Sequence, residues 1–545
     1  MRSMTYDVII LGLGPVGATL ANLLVGQGLR VAVVDQREDV YDKPRAITLD
    51  HEVMRIMQAC GVAHDFAPLT APHPGTHYLG IDGQIIKIFD PLPPPFPLGW
   101  APNATFVQPQ LERILRERLQ HFASCDWFLG YSANRLVHAK GVAELTVHDA
   151  NGRDRILCGR YVAACDGANS FVRKNLGIGL EDLDFDEWWM VVDVNVRAPV
   201  ALPAKCIQYC WPSRPATFIL GPGTLRRWEI KLLPGEDPEA FAQAENVVAQ
   251  LSRFVDTSAV EVWRSAVYRF HAVLAERWRD REVFLLGDAA HQTPPFLGQG
   301  MCAGIRDAAN VAWKLALVLG GDAHDGLLDS YERERKPHVR AVVAAAKDFG
   351  QIIGELDPAA ACLRDQKLRG QLERGEAETV RQRYVPDLKA GVVDAGSSPG
   401  AGRLFVQPRC MSAGKVGLLD DLVPPRFLIV AESHDVASWL TDWSRSVWRR
   451  IHGEFVVLAE DDTKTKDWPV GVMRFVREDR LFGDWLKGLG AQAVVVRPDR
   501  YVFGSADDAA SLNRLVERAS DALFGPGSSG APAPALATSD DCSPF

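Results

Sequence analysis

Three glycines at fixed spacing are the first residues in this chain that could do chemistry. Gly12-Leu13-Gly14-Pro15-Val16-Gly17 follows the apolar run Tyr6 to Leu11 and precedes Ala18 to Gln27, which reads as a helix. At a strand-to-helix turn the first glycine allows the tight bend, the second lets backbone approach a pyrophosphate, and the third lets helix pack on strand. The phosphates then rest on the positive end of the helix. Asp35 ends the next strand-like run, Arg30 to Asp35, where a carboxylate accepts hydrogen bonds from an adenosine ribose and its charge disfavours a 2′-phosphate. Glycines alone also suit a structural turn with no ligand; the strand, helix, strand and acid in order favour a dinucleotide. Two further runs leave apolar strands in the same way. Leu285-Leu286-Gly287-Asp288 continues to His291 and then to Pro294-Pro295-Phe296-Leu297-Gly298-Gln299-Gly300-Met301, which opens a long helix. Cys165-Asp166-Gly167 leads to Ser170 and Arg173, where the structural reading is a turn whose Asp caps the following helix.

These loops need elements to hold them. The N-terminus reads as a βαβ unit; the text then turns Pro-rich between His73 and Trp100 and resumes with a helix whose Leu111, Ile114, Leu115 and Leu119 share a face. Asn151-Gly152 marks a hairpin within 145–164, and 186–270 reads as short alternating strands of a separate antiparallel sheet. Helices follow over 304–319 and 328–349, a Gly/Ser-rich break at 396–402 precedes another α/β stretch, and the tail 525–545 lacks the apolar content to order itself. Of 545 residues, 60 are Lys or Arg and 69 Asp or Glu, and the net charge of −9 argues against nucleic acid as a partner. The two longest apolar stretches are broken by glycines and by Lys314, so neither reads as a membrane span or a leader. Ten cysteines without a CxxC pair, and without His at zinc spacing, point to a reducing cytoplasm and to no metal site.

In order and separation the three runs resemble the fingerprints of the class A flavoprotein aromatic hydroxylases, the family that includes p-hydroxybenzoate hydroxylase and phenol hydroxylase. Within it the text is most similar to the 3-(3-hydroxyphenyl)propionate hydroxylase subgroup, through Pro44-Arg45-Ala46-Ile47, Gln108-Pro109-Gln110, 162–167, 306–318 and 497–502. The resemblance implies an α/β fold: a Rossmann-like FAD-binding domain assembled from 1–75, 105–185 and 281–390, an inserted antiparallel-sheet substrate domain from 76–104 and 186–280, and a thioredoxin-like domain over 400–524. It implies FAD held by Gly12, Gly14, Pro15, Val16, Gly17, Asp35, Gln36, Arg45, Gln108, Asp166, Gly167, Gly287, Asp288, Pro295, Gly298, Gln299, Gly300 and Met301. In this scheme Asp288 meets the ribityl chain, the N–H groups of 298–301 face the pyrimidine edge, and Asp166-Gly167 with Arg173 also serves a transient nicotinamide. NADH or NADPH is then the co-substrate. The implied reaction transfers one oxygen of O₂, through a flavin C4a-hydroperoxide, to a phenolic ring ortho to its hydroxyl.

Protein groups are left with two tasks, accepting the phenolic proton and holding the rest of the substrate. By resemblance the Pro295 carbonyl, free of any helix ladder, accepts from the substrate hydroxyl. Tyr209 is a second acceptor, with His73 and His291 behind it, and Arg45 stands beside the flavin as the third catalytic candidate. His291 also reads as a satisfied structural histidine. Trp188, Tyr209, Trp211, Phe218 and Trp228 are the aromatic candidates for the pocket wall, divided between two faces by strand alternation. Arg227, or its neighbour Arg226, is the candidate partner for a substrate carboxylate. Other rings (resorcinol, pyridinol, polyketide) and a non-catalytic flavin-binding protein are the alternatives. A membrane is not expected, and a homodimer is left open.

Overall fold

Thr5–Leu11 is a strand because its apolar run is buried on both sides, between Asp154–Ala164 and Val31–Asp35, with which it pairs in parallel. The computed structural model describes residues 5–139, 141–394, 396, 398–412, 414–460 and 471–525. Val283–Leu285 adds to Asp154–Ala164, and Cys125–Leu129 to Val31–Asp35, both in parallel. The register aligns Leu11 with Ala164 and Ala164 with Leu285. Each of the three glycine-bearing loops therefore leaves the same edge of one sheet from neighbouring strands, where open α/β sheets bind ligands. The hairpin at Asn151-Gly152 joins Val142–His148 to Asp154–Ala164.

A second sheet runs in the order His291–Gln292, Val260–Ala275, Leu180–Val196, Leu225–Lys231, Ala216–Leu220, Cys206–Tyr209, Thr76–Leu79, Ile85–Phe89. The Pro-rich excursion thus contributes the last two strands at one end of this sheet, Thr76–Leu79 pairing in parallel with Cys206–Tyr209 and Ile85–Phe89 forming the edge. One face is apolar: Met190, Val192, Ile207, Phe218, Trp228 and Ile230 pack with Val247 and Leu251 of helix Ala244–Leu251. The other carries Trp189, Asp193, Arg227, Glu229 and Lys231, by alternation along the strands.

Contacts divide the chain into two compact units, residues up to 316 with 331–388, and 317–330 with 389 onward. Both sheets above belong to the first. The second is built on a seven-stranded mixed sheet running from Lys415–Leu418 at one edge to Val502–Ala506 at the other, around Val430, Val456, Leu458 and Val494. Helix Ala509–Phe524 starts from a capping box between Asp508 and Ser511. Residues 526–545, nearly all of the tail expected to be disordered, lie outside the described residues. Among the described residues no helix is long and apolar enough to cross a membrane.

Candidate active site at the strand ends

The glycine turn is built as its spacing suggests. A Cβ on Gly12 would lie 2.3 Å from the Cys165 carbonyl oxygen, and one on Gly17 would lie 1.9 Å from that of Gly12, so both positions exclude any side chain. Gly14 faces open space instead. It precedes helix Pro15–Val25, which has no side-chain cap and no acid in its first turn, so its leading N–H groups face outward. Asp35 accepts from the N–H groups of Leu13 (2.7 Å) and Arg37 (2.8 Å), which orients its carboxylate over the turn with lone pairs left over. Val16 packs against Gly287 and Gly304, tying the first loop to the third, and Gln36 is exposed at the end of Val31–Asp35.

In the second loop Ser170, not Asp166, caps helix Phe171–Asn175, while Asp166 accepts from the Val172 N–H at 3.1 Å. The other oxygen of Asp166 is buried with no partner, and burial raises its carboxyl above the ordinary value, against the bonds from Ser170 and the backbone. Arg173 donates to the carbonyls of Ala289 (3.1 Å) and Ala168 (3.0 Å), clamping the second loop to the third. Asp288 is exposed, and desolvation by the protein around it raises its carboxyl, with His291 and Arg45 pulling the other way. Its carboxylate makes no hydrogen bond to another described residue. Behind it Asp307 accepts from the Gly287 N–H (3.1 Å), His291 (2.8 Å) and Arg335 (2.9 Å). Burial would raise Asp307, but His291 and Arg335 hold it below the carboxylate range. His291 is thereby engaged structurally and stacks on Trp278. Asp307 was legible only as an acid on the inner face of a helix.

An orphaned carboxylate oxygen, an open acid, an uncapped helix end and a glycine facing open space suit FAD, whose hydroxyls donate and whose pyrophosphate accepts. Gln299, Gly300 and Met301 begin helix Gly300–Gly320, whose first N–H groups have no partner within the helix. The Gln299 side chain turns away, to Asp50 and Arg306. Two expectations in this loop are corrected: the Pro295 carbonyl accepts the Gly298 N–H at 2.7 Å, closing a 3-10 turn, so neither group is free as expected, although a second lone pair remains on the carbonyl. Gln108 accepts from the N–H groups of Arg45 (3.2 Å) and Ala46 (2.6 Å) and donates to Glu112, so it shapes the loop that carries exposed Arg45.

The substrate side differs most from expectation. Tyr209, Phe218 and Trp228 lie in the apolar core on the far face of the second sheet, with Trp211 packed against it. Trp188 points outward, 39% exposed, under Arg269. Register decides this: the aromatic candidates share the parity of the helix-covered face, whereas Trp189 has the opposite parity and lies buried with its ring centroid 5.0 Å from that of Phe296. Burial also raises the Tyr209 hydroxyl. Arg227 is not free for a carboxylate. It donates to Asp193 (2.7 and 3.0 Å) and to the carbonyls of Arg45 (2.6 Å) and Pro44 (3.1 Å), while Arg226 closes its own hairpin turn on Gly221 and Gly223. His73 accepts from the Gly75 N–H, and burial with Arg381 and Lys205 holds its ring down to about 3, hence neutral. Arg381 itself, singled out by no motif, lies beside Gly298: a Cβ there would be 2.9 Å from its Nη2. Its guanidinium makes no hydrogen bond or ion pair to another described residue. Among the described residues no cluster of His, Cys, Asp or Glu is arranged to hold a metal ion.

Comparisons with known proteins identify the family of the chain. The FAD binding domain family matches residues 5–346, and the HcaD C-terminal domain family matches 402–522. A 3-(3-hydroxy-phenyl)propionate/3-hydroxycinnamic acid hydroxylase of Comamonas testosteroni is 33% identical, over 94% of this chain and 96% of its own. Among solved structures, the flavin-dependent monooxygenase PieE, in complex with FAD and substrate, superposes with a TM-score of 0.76 at 20% identity, over 95% of this chain and 99% of its own. The anhydrotetracycline hydroxylase OxyS of Streptomyces rimosus does so with 0.76 at 21% identity, over 96% and 100%.

Proposed function

The chain belongs to the family of FAD-dependent aromatic hydroxylases, and from that premise we propose that it hydroxylates a phenol bearing a carboxylate side chain, ortho to the existing hydroxyl, with NADH or NADPH and O₂ as co-substrates. The observation that carries this reading is the convergence of three loops at one sheet edge, with the Asp166 oxygen and the Asp288 carboxylate left without partners. Asp35, Asp288, the Gly14 turn and the N–H groups of Gln299 to Met301 are the groups that would hold FAD. When bound, the flavin supplies the redox chemistry, taking hydride from the nicotinamide and activating O₂. The protein's own part is to hold the ring, exclude water and move the phenolic proton.

An acid of the 3-(3-hydroxyphenyl)propionate type fits Arg381, which stands beside the flavin loop with no hydrogen bond or ion pair to another described residue and takes the role expected of Arg227. The C-terminal unit is read as thioredoxin-like in shape and structural in role, since Cys410, its cysteine among the described residues, is buried and has no CxxC partner. The absence of a disulfide pattern suits a cytoplasmic enzyme.

The test is a panel of substituted phenols, 3-(3-hydroxyphenyl)propionate among them, with NADH and NADPH oxidation followed and products identified. A yellow protein whose NADH oxidation rises with phenolic acids and yields catechols is expected. Protein that binds no FAD, or that forms no hydroxylated product from any phenol, overturns the reading.

A further inference from the structure

We propose that Glu229 accepts the phenolic proton of the substrate and that the buried row it begins, Glu229, Thr217 and Gln208, orients the ring; this rests on the hydroxylase reading above and assigns an acceptor which that reading leaves open. The row follows from register. Thr217 pairs with Glu229 on one side and with Gln208 on the other, so the three side chains stand together on one face of adjacent strands. All are buried, at 4%, 2% and 6% exposure. Thr217 donates to Gln208 Oε1 at 2.6 Å, leaving its own oxygen free to accept.

The row faces the site because its strand is pinned on either side. Two residues before Glu229, Arg227 holds the carbonyls of Pro44 and Arg45. Two residues after it, Lys231 bonds Glu187 (2.7 Å) and the Gly354 carbonyl (2.9 Å), and Trp189, paired with Lys231, packs on Phe296. Glu229 therefore lies between the Arg45 loop and the Phe296 loop, the two loops that the resemblance sets beside the flavin. The opposite face of the same strands carries no charged side chain where it meets its helix. A carboxylate placed under the inner face costs free energy unless something there uses it.

Glu229 makes no hydrogen bond to another described residue. Its nearest counter-charge is Arg227, at 4.0 Å, with a guanidinium already engaged by Asp193 and two carbonyls. The other charged and titratable groups around it are Asp193 on the neighbouring strand, Arg264 and Tyr268 on the strand beyond, and Lys231 with Glu187. Burial raises its carboxyl to about 7, Arg227 pulling it down and Asp193 pushing it up. Such a group is an effective base near neutral pH. The phenolic O–H bond breaks, its electron pair stays on the oxygen and enriches the ortho carbon, and the proton forms an O–H bond on Glu229. After oxygen transfer the ring loses its C–H proton to water, and Glu229 returns its proton to the phenolic oxygen.

The test uses the FAD-loaded enzyme with 3-(3-hydroxyphenyl)propionate and with a nitro-substituted phenol that is already ionised at the assay pH. For the wild type, hydroxylation should rise with pH through a limb near 7, and the ultraviolet spectrum of bound phenol should show phenolate at pH values where the free phenol is neutral. Glu229→Gln should keep FAD, bind the phenol, lose the limb and hydroxylate about 100-fold more slowly, NADH oxidation then yielding hydrogen peroxide. Its deficit should shrink for the ionised phenol, and Glu229→Asp should restore part of the rate. Wild-type rate and pH limb in Glu229→Gln, or an equal deficit for neutral and ionised phenols, overturns the assignment alone. If the variant loses FAD, the wild-type spectrum decides, since bound phenol that titrates as it does in water overturns the assignment. A wild type that hydroxylates no phenol overturns the underlying reading and this assignment together.

Discussion

A buried acid held above its ordinary range is a load on the fold, and Glu229 should show it. The penalty is absent below the ordinary value of 4.5, grows as pH rises towards about 7 and is complete above, with a ceiling of about 3 kcal/mol. Glu229→Gln should accordingly be more stable than the wild type at pH 8, most of the gap closing by pH 5, as read from urea unfolding. A wild type that is the more stable at pH 8 would mean that Glu229 is paired. Two arginines separate in the same way. Arg227→Met strips Asp193 of its main partner, leaving Arg264 at 3.4 Å, so about 3 kcal/mol of stability should go while KM shifts alike for phenols with and without a carboxylate. Arg381→Met should leave stability nearly unchanged and raise KM selectively for the acids. Selectivity confined to Arg227→Met instead would restore the clamp first expected there. Neither role is visible in residue type, because a guanidinium's free donors depend on carbonyls more than 180 positions away.

At the scale of elements, the strand, turn and helix of the N-terminus were legible because each depends on neighbours in sequence: the apolar run, the glycines, the acid. The helix read from Ala18 starts at Pro15, whose missing N–H is no loss at a first turn. The glycines make different demands, which substitution should expose. Gly17→Ala puts a methyl into the Gly12 carbonyl and should cost about 2 kcal/mol or more in the FAD-free protein. Gly14→Ala has room, so the FAD-free protein should melt as the wild type does while FAD binding weakens, measured by flavin fluorescence on titration. Equal melting losses in both variants would mean that Gly14 is structural. In the second sheet, strand positions were readable and the faces were not: a one-residue change in parity moves every side chain across, and Trp188 and Trp189 are adjacent in sequence with opposite fates.

For the whole molecule, two units with separate cores should not unfold as one cooperative step. Because the candidate FAD groups all lie in the first unit, saturating FAD should move one calorimetric transition upward, by linkage, and leave the other in place. A shift of both transitions together would show that the units unfold as one. By itself the sequence determined the dinucleotide turn, its acid, the two further loops and the family, since those signals are short runs whose spacing is itself the chemistry. Only the tertiary structure decided which face of the second sheet looks at the flavin loops, that Arg227 is engaged, that Arg381 is not, and that Glu229, Thr217 and Gln208 form a row. These are properties of register and of partners distant in the chain, and the pairing of strands sets them where no local pattern can.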